Sequence, residues 1–435
     1  MGILGMSRLA WAGRPRVLSP RAGSTPRTEP TGSRSVHESP PILFSTRLPP
    51  TGTGWIEIRT PTSCSSRSAG EHDDHGSGCA LMRVFHCDRC EAVLAFDAHE
   101  CAGCRATVGY VPGDRRPRVL QASTDPSVFH LDAPGDRSER PMWRCLNAAW
   151  GCNWMLPVDS GETWCRSCRL TRGRPDTGRP DAIAAWATVE AAKRRLIHQL
   201  DEFALPIEID SASMPDGLVF DLVYLPGEGG ITGHLDGLVT LDLAEADDGH
   251  RDGLRRRLGE QFRTVIGHLR HEIGHYYWLR LVGQSNDIGV FRRLFGDERD
   301  DYRVAVDAYY AGASSTWDRA RFVTGYASSH PLEDWAETFA HYLHIVDAVD
   351  TAAAHDLVPA DRAGMLVTDA VATLPFADIL DAWRPISAAV NAIAETVGAP
   401  AVYPFEPAGA VVDKLTFVHD QVAAHTKRDR FYANE

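Results

Sequence analysis

Hydrophobic positions follow different patterns in different parts of the chain. From residue 181 onward they recur with a helical period, which predicts helices over 181–205, 251–282, 300–311, 331–348, 360–372, 376–396 and 412–425. Between the first two helices, 217–225 and 237–243 are rich in Val, Leu and Phe and are joined by the Gly-rich segment 226–230, which predicts two strands. Residues 82–175 lack long periodic runs and are dense in Cys, Gly, Pro and Trp, as in small modules that something other than a large core holds together.

The first 81 residues keep no apolar period and are rich in Pro, Gly, Ser, Thr and Arg, so we expect a disordered head. A secretory signal needs about seven or more consecutive apolar residues, but the apolar run that starts at Met1 is short and is followed by Arg8. No run approaches the twenty apolar residues of a membrane span. An Arg-rich transit peptide is a second interpretation, which the many prolines oppose. A third is that the working protein starts at Met82, directly before the ordered sequence.

The net charge of -13 is unevenly distributed. Residues 1–81 and 82–180 carry net charges of +3 and +2, whereas residues 181–435 carry 22 Lys and Arg against 40 Asp and Glu, a net charge of -18. An acidic surface repels a phosphate backbone, so nucleic acid is an unfavourable partner for the C-terminal region.

All ten cysteines lie between Cys64 and Cys168, and the first cluster has the spacing of a metal site. Two C-x2-C turns ten residues apart place four thiolates at tetrahedral corners, which predicts a structural zinc on Cys87, Cys90, Cys101 and Cys104. Reduced thiols without metal and a redox pair are the alternatives. Zinc thiolates need a reducing compartment, so together with the missing signal they predict a cytoplasmic protein.

A second cluster repeats this arrangement less regularly, because its first half is C-x6-C. It predicts a second structural zinc on Cys145, Cys152, Cys165 and Cys168. A single site that pools ligands from both clusters, or buried thiols at Cys145 and Cys152, are alternatives. Four tryptophans between these cysteines are interpreted as a small core around the metal rather than a stacking platform for bases: Trp143, Trp150, Trp154 and Trp164.

The sequence H-E-x-x-H occupies residues 271–275 inside a predicted helix. His271 and His275 are four residues apart, so both imidazoles project from one helix face and can chelate one zinc, with Glu272 beside them as a general base. Apolar residues flank the motif on both sides, and unpaired His and Glu side chains would be costly in such a buried stretch. Two core histidines with other partners are the alternative.

A catalytic zinc needs a third protein ligand and an open position. A continuation with Gly and His three and six residues after the second His is excluded, because Trp278 and Leu281 stand there. The other known solution is a Glu on a later helix, and Pro331 opens such a helix. We expect Glu333 to bind zinc and Glu337, one turn on, to hydrogen-bond a ligand histidine. The alternatives for the third ligand are Glu337, Asp334 and His341.

Tyr326 lies seven residues before Glu333. A phenol at this position could reach the open side of the metal and donate to a developing oxyanion, so Tyr326 is a candidate catalytic residue. A buried tyrosine with a packing role is the alternative.

These motifs together resemble a bacterial family of zinc-binding metallopeptidases with an N-terminal zinc-ribbon domain. The segments that carry the resemblance are 85–90, 152–155, 165–170, 232–234, 263–278, 329–344 and 403–405. The resemblance implies a gluzincin-like enzyme acting on a protein or peptide. The expected fold class is α+β: a disordered head over 1–81, a β-rich zinc-ribbon region over 82–175, a mainly helical zincin-like domain with a small strand region over 180–425, and a tail over 426–435.

The expected chemistry is peptide hydrolysis with one catalytic and two structural zinc ions, Glu272 as the base and Tyr326 as the oxyanion donor. The strand over 237–243 is expected to pair with an extended substrate, and the ribbons to position a protein partner. The competing hypothesis is a zinc-ribbon module that binds protein or nucleic acid and carries an inactive peptidase-like scaffold. Basic runs at 115–118 and 166–174 are the features in its favour.

Overall fold

The computed structural model describes residues 84–132, 140–209, 216–224, 232–258, 263–313, 317–355, 357–358 and 374–432. The predicted disordered head over 1–81 and the predicted helix over 360–372 lie outside these residues. The described part confirms the α+β class, with a β-rich cysteine region followed by a mainly helical region. None of its helices has the length and apolar character needed to span a membrane.

The cysteine region is built from short antiparallel strands. The pair β1 (Phe85–His86) and β2 (Val93–Leu94) precedes a five-stranded sheet in chain order, formed by β3 (Val108–Val111), β4 (Arg116–Ala122), β5 (Val128–Leu131), β6 (Met142–Arg144) and β7 (Met155–Pro157). The N–H of Tyr110 on β3 donates to the carbonyl of Asn153 at 2.8 Å, so the first and last strands of this sheet approach each other.

The cysteine region continues directly into the sheet of the helical region. After the short helix α1 (Arg166–Arg169), the N–H of Phe220 donates to the carbonyl of Leu170 at 2.7 Å, and that of Arg172 donates back to the carbonyl of Phe220 at 3.0 Å. Buried apolar side chains of both regions also form one continuous core. The cysteine region therefore packs against the helical region and extends its sheet.

Three strands form the second sheet, in the order β8 (Val219–Val223), β10 (Leu238–Asp242), β9 (Gly233–Leu235). β10 pairs parallel with β8 and antiparallel with β9. The expectation that 237–243 offers a free edge is therefore wrong, because β10 is the central strand. The outer side of β8 is taken by the segment 170–172, so β9 forms the edge of this sheet that no other described segment covers.

Most predicted helices are present, with changed bounds. They are α2 (Pro180–Glu202), α3 (Asp248–Leu258), α4 (Val265–Tyr277), α5 (Ile288–Leu294), α6 (Tyr302–Ala308), α7 (Pro331–Ala354), α8 (Phe376–Thr396) and α9 (Ala410–Tyr432). The single helix predicted over 251–282 is wrong: Thr264 has an extended backbone, and its hydroxyl accepts from the N–H of Gly267, so α4 starts afresh at Val265. Helix α5 was not predicted.

Helices α4 and α7 cross at close range at Gly274. A Cβ at this position would lie 3.0 Å from Cα of Ala336 and 3.3 Å from Cβ of Phe339. The indole N–H of Trp335 donates to the carbonyl of Gly274 at 2.9 Å, which fixes the crossing. The missing side chain lets the helix that carries His271 approach the helix that carries Glu333.

Candidate metal centres

The first four cysteines form one cluster. The sulfurs of Cys87 and Cys104 lie 3.7 Å apart and those of Cys90 and Cys101 lie 3.6 Å apart. A tetrahedral zinc with bonds of about 2.3 Å needs sulfurs about 3.8 Å apart, so the geometry fits a zinc site with four sulfur ligands. Both turns use the same backbone: the residue four after the first cysteine, Glu91 or Arg105, is left-handed with φ of 59° or 61°.

The second four cysteines form a separate buried cluster, with Cys152 3.7 Å from Cys165 and 3.8 Å from Cys168. A 3-10 turn over Leu146–Trp150 takes up the longer C-x6-C spacing and ends at Gly151, whose φ of 91° suits a glycine. The alternative of one pooled site is therefore wrong. Of the tryptophans, Trp154 is buried and stacks on Tyr110 at 4.7 Å, whereas Trp164 is 46% exposed and does not belong to the core.

The third group joins α4 and α7. Nε2 of His271 and Nε2 of His275 lie 3.3 Å apart, and Oε2 of Glu333 lies 3.1 Å from the first and 3.5 Å from the second. Nitrogen and oxygen ligands of a tetrahedral zinc, with bonds of about 2.0–2.1 Å, lie about 3.3–3.4 Å apart. The three atoms thus form one face of a tetrahedron of the right size.

Glu333 supplies an independent test of whether this site suits a cation. Its carboxylate is 1% exposed, and within the described residues Oε2 accepts no hydrogen bond. Its other oxygen, Oε1, accepts from the hydroxyl of Tyr302 at 2.6 Å. A buried carboxylate oxygen that points at two imidazole nitrogens without a hydrogen-bonded partner is costly unless a cation lies between them.

Glu337 orients the first histidine. Its Oε1 lies 2.6 Å from Nδ1 of His271, and its Oε2 accepts from the hydroxyl of Thr324 at 2.7 Å. The carboxylate holds the proton on Nδ1, so Nε2 is left as a lone-pair donor on the side of Glu333. The structure thus separates the two carboxylates that the sequence left as alternatives: Glu333 faces the imidazole pair, and Glu337 stands behind His271.

The charges of the site favour a cation as well. Burial alone would raise the pKa of Glu333, but the imidazoles of His275 and His271 hold it well below its ordinary value. Burial would lower the pKa of His271, yet Glu333 and Glu337 raise it well above its ordinary value. Two carboxylates that face one imidazole favour a positive charge at this place, and a divalent ion would supply it.

Glu272 projects from α4 beside the histidines and is 5% exposed. Its Oε1 lies 3.4 Å from Nε2 of His268, one turn earlier on the same helix. His268 is absent from the three-residue cluster that could hold a metal. His341, another alternative ligand, instead lies 2.6 Å from the hydroxyl of Tyr403 through Nδ1.

Tyr326 lies in a 3-10 turn before α7, with its ring 5.9 Å from that of His271. Burial raises the pKa of Tyr326 well above its ordinary value, with a further contribution from Glu333, so its hydroxyl keeps its proton. The ring also contacts Tyr309 and Tyr310, the latter 55% exposed.

Two further residues at the site received no role from the sequence. Tyr302 is 31 residues from Glu333, and a lone tyrosine carries no spacing signal. His234 on β9 stacks on His275 with ring centroids 6.1 Å apart, and its Nε2 accepts from the N–H of Gly237 at 3.1 Å. Burial lowers the pKa of His234 to about 3, so it is a neutral ring with its proton on Nδ1.

Comparison with known proteins agrees with this geometry. A family model described as "Putative zinc-binding metallo-peptidase" matches residues 182–421, which is more than half of the chain. The chain belongs to this family. A second model, a zinc-ribbon domain, matches residues 84–179 and contains both cysteine clusters.

Relatives show the same relationship over nearly their whole length. Uncharacterized proteins of Mycobacterium tuberculosis and Mycobacterium bovis are each 40% identical to the chain over 357 residues, which cover 80% of this chain and 99% of each relative. No solved structure matches the chain. The family description together with the two four-cysteine clusters supports zinc binding.

Proposed function

We propose that the protein is a zinc-dependent peptidase whose catalytic ion is held by His271, His275 and Glu333. The single observation that carries the proposal is the triangle of three ligand atoms with edges of 3.1, 3.3 and 3.5 Å. Three protein ligands, two of them nitrogens, leave one tetrahedral position open, as in catalytic rather than structural zinc sites. Two structural zinc ions would occupy the cysteine clusters.

The residues around the triangle supply the rest of a hydrolytic site. When bound, zinc would lower the pKa of a water molecule and polarise the scissile carbonyl. Glu272 accepts the proton of the attacking water at a carboxylate oxygen and passes it to the leaving amine. The hydroxyl of Tyr326, kept protonated by burial, donates a hydrogen bond to the oxyanion. Tyr302 and Glu337 keep Glu333 and His271 in place.

The substrate is proposed to be an extended protein or peptide segment that adds to the edge strand β9. This strand contacts α4, which carries the two histidines, and within the described residues no other strand pairs with it on the side away from β10. The opposite edge of the sheet is occupied by the ribbon segment 170–172. The ribbon thus contributes to the architecture of the catalytic region, which favours the peptidase over an interaction module on an inactive scaffold.

Hydrolysis of a casein or peptide-library substrate tests the proposal. Glu272→Gln keeps the size of the side chain and the zinc ligands, so we expect it to abolish hydrolysis while zinc content stays at the wild-type level. Glu395→Gln, on α8 and exposed, serves as the matched control. Unchanged proteolysis by Glu272→Gln contradicts the proposal.

Metal analysis provides a second test that does not depend on a substrate. We expect three zinc ions per chain, and two in the double variant His271→Ala, His275→Ala. Retention of all three ions in this variant would place the third ion elsewhere and overturn the assignment.

A further inference from the structure

A row of alternating charges leads from the end of the small sheet to the proposed general base. Arg263 donates from Nε and Nη2 to the two carboxylate oxygens of Glu245 at 3.1 and 2.6 Å. Nδ1 of His268 lies 3.9 Å from Oε2 of Glu245, and its Nε2 lies 3.4 Å from Oε1 of Glu272. One imidazole therefore stands between two carboxylates.

The two carboxylates of the row are buried, Arg263 and His268 are partly buried, and the fold fixes their positions. Glu245 is 3% exposed and belongs to the 3-10 turn that follows β10, while His268 lies in the first turn of α4. His268 and Glu272 are four residues apart on one helix face, so their side chains meet without any loop between them. Glu245 already receives two hydrogen bonds from Arg263, hence His268 is not needed to neutralise it.

We propose that His268 is a positioning residue that holds the carboxylate of Glu272 through Oε1, with Glu245 as its anchor. Oε2 of Glu272 then remains as the oxygen that exchanges the proton. This inference rests on the proposed peptidase function. It adds that Glu245, at the end of the small sheet, helps to position the general base Glu272 through His268, independently of the metal.

The electrostatics agree with this role. Burial alone would lower the pKa of His268, but the carboxylates of Glu245 and Glu272 raise it above its ordinary value. A positively charged ring between the two acids stabilises both negative charges in a place that is poor in solvent. A neutral side chain could orient Glu272 but could not supply this charge.

A spectroscopic experiment tests the contact without any substrate. In protein labelled with ¹⁵N-histidine, the ring signals of His268 are assigned from their loss in His268→Gln. At pH 7 we expect the signature of a ring protonated at both nitrogens, and its conversion to that of a neutral ring in Glu272→Gln. The signals of His419, a buried ring next to Tyr342, should not change. A neutral His268 in the wild type, or no change in Glu272→Gln, overturns the proposal.

Kinetics then test the consequence for hydrolysis. We expect His268→Ala to lower kcat by roughly 10- to 100-fold with KM and zinc content unchanged, a size typical for the partners that orient active-site groups. His268→Gln, which keeps an N–H donor, should recover part of this loss. A wild-type kcat in His268→Ala, or a loss that parallels loss of zinc, contradicts the positioning role. An inactive wild type would refute the peptidase, while the spectroscopic result would still decide the contact.

Discussion

Replacing Gly274 by alanine tests whether the proposed zinc site on His271, His275 and Glu333 depends on the close crossing of α4 and α7. The new methyl carbon would lie 3.0 Å from Cα and 3.2 Å from the carbonyl oxygen of Ala336. Carbon atoms prefer separations of about 3.5–4.0 Å, so the helices must separate by roughly half an ångström or more. Both contacts are with backbone atoms, which cannot rotate away as a side chain could.

The magnitude follows from the ligand triangle. Glu333 lies on α7 and both histidines lie on α4, so a separation of this size stretches the 3.1 and 3.5 Å edges beyond the roughly 3.3–3.4 Å that zinc requires. We expect Gly274→Ala to bind the proposed catalytic zinc about 10- to 100-fold more weakly than the wild type does. Overpacking should also cost about 1–3 kcal/mol of stability.

Competition with a chromogenic chelator measures this affinity, and the two cysteine sites serve as an internal reference. The matched control is Gly253→Ala, in the middle of α3, where a Cβ meets nothing within 4 Å. This control should keep zinc affinity and gain up to about 1 kcal/mol of stability from helix propensity. Wild-type zinc affinity in Gly274→Ala would refute the reasoning that the crossing sets the ligand geometry.

Three further predictions address catalysis, packing and pH. Tyr326→Phe should lower kcat about 10²- to 10³-fold with KM unchanged, as for other lost oxyanion donors, and an equal kcat would remove Tyr326 from the mechanism. Lys414→Met should destabilise the chain by about 3–5 kcal/mol in urea unfolding, because the buried Lys414 donates to Asp334 at 2.5 Å; the double variant with Asp334→Leu should regain most of this, and no regain would contradict the pairing. Burial lowers the pKa of His198 to about 3, so its contribution to stability is complete above about pH 6.5 and falls by about 1.36 kcal/mol per unit as pH decreases below that value. His198→Phe should flatten the pH dependence of unfolding by one proton in this range, and an identical slope would show that His198 is not the group responsible.

Much of the site could be predicted because its chemistry needs fixed spacings. Two histidines four apart on a helix, and paired C-x2-C turns, leave few alternative structures. Pro331 marks the start of α7, so Glu333 and Glu337 could be placed on one helix from the sequence alone. The sequence favoured Glu333 as the zinc ligand but left Glu337 open as an alternative, because the choice depends on how closely α7 crosses α4, which Gly274 sets.

The features that the sequence pattern did not predict each have a physical explanation. The break at Thr264 comes from a local capping bond within an otherwise helical pattern, and apolar periodicity does not register it. The sequence pattern assigned the edge of the small sheet to 237–243 instead of β9. β9 has only three residues, too few to show an alternating pattern, and it pairs with the outer side of β10. Tyr302 and His234 reach the site through tertiary packing alone.

Because the backbones of Leu170 and Phe220 pair, the folding of the helical region depends on the folding of the cysteine region. Leu170 follows Cys168 by two residues, so its place beside β8 depends on the fold of the second cysteine cluster. A chain synthesised under zinc shortage would leave the outer edge of β8 unpaired, and an open edge is a template for aggregation. Zinc supply would then affect the yield of correctly folded protein through the second cysteine cluster, independently of the zinc at the proposed catalytic site.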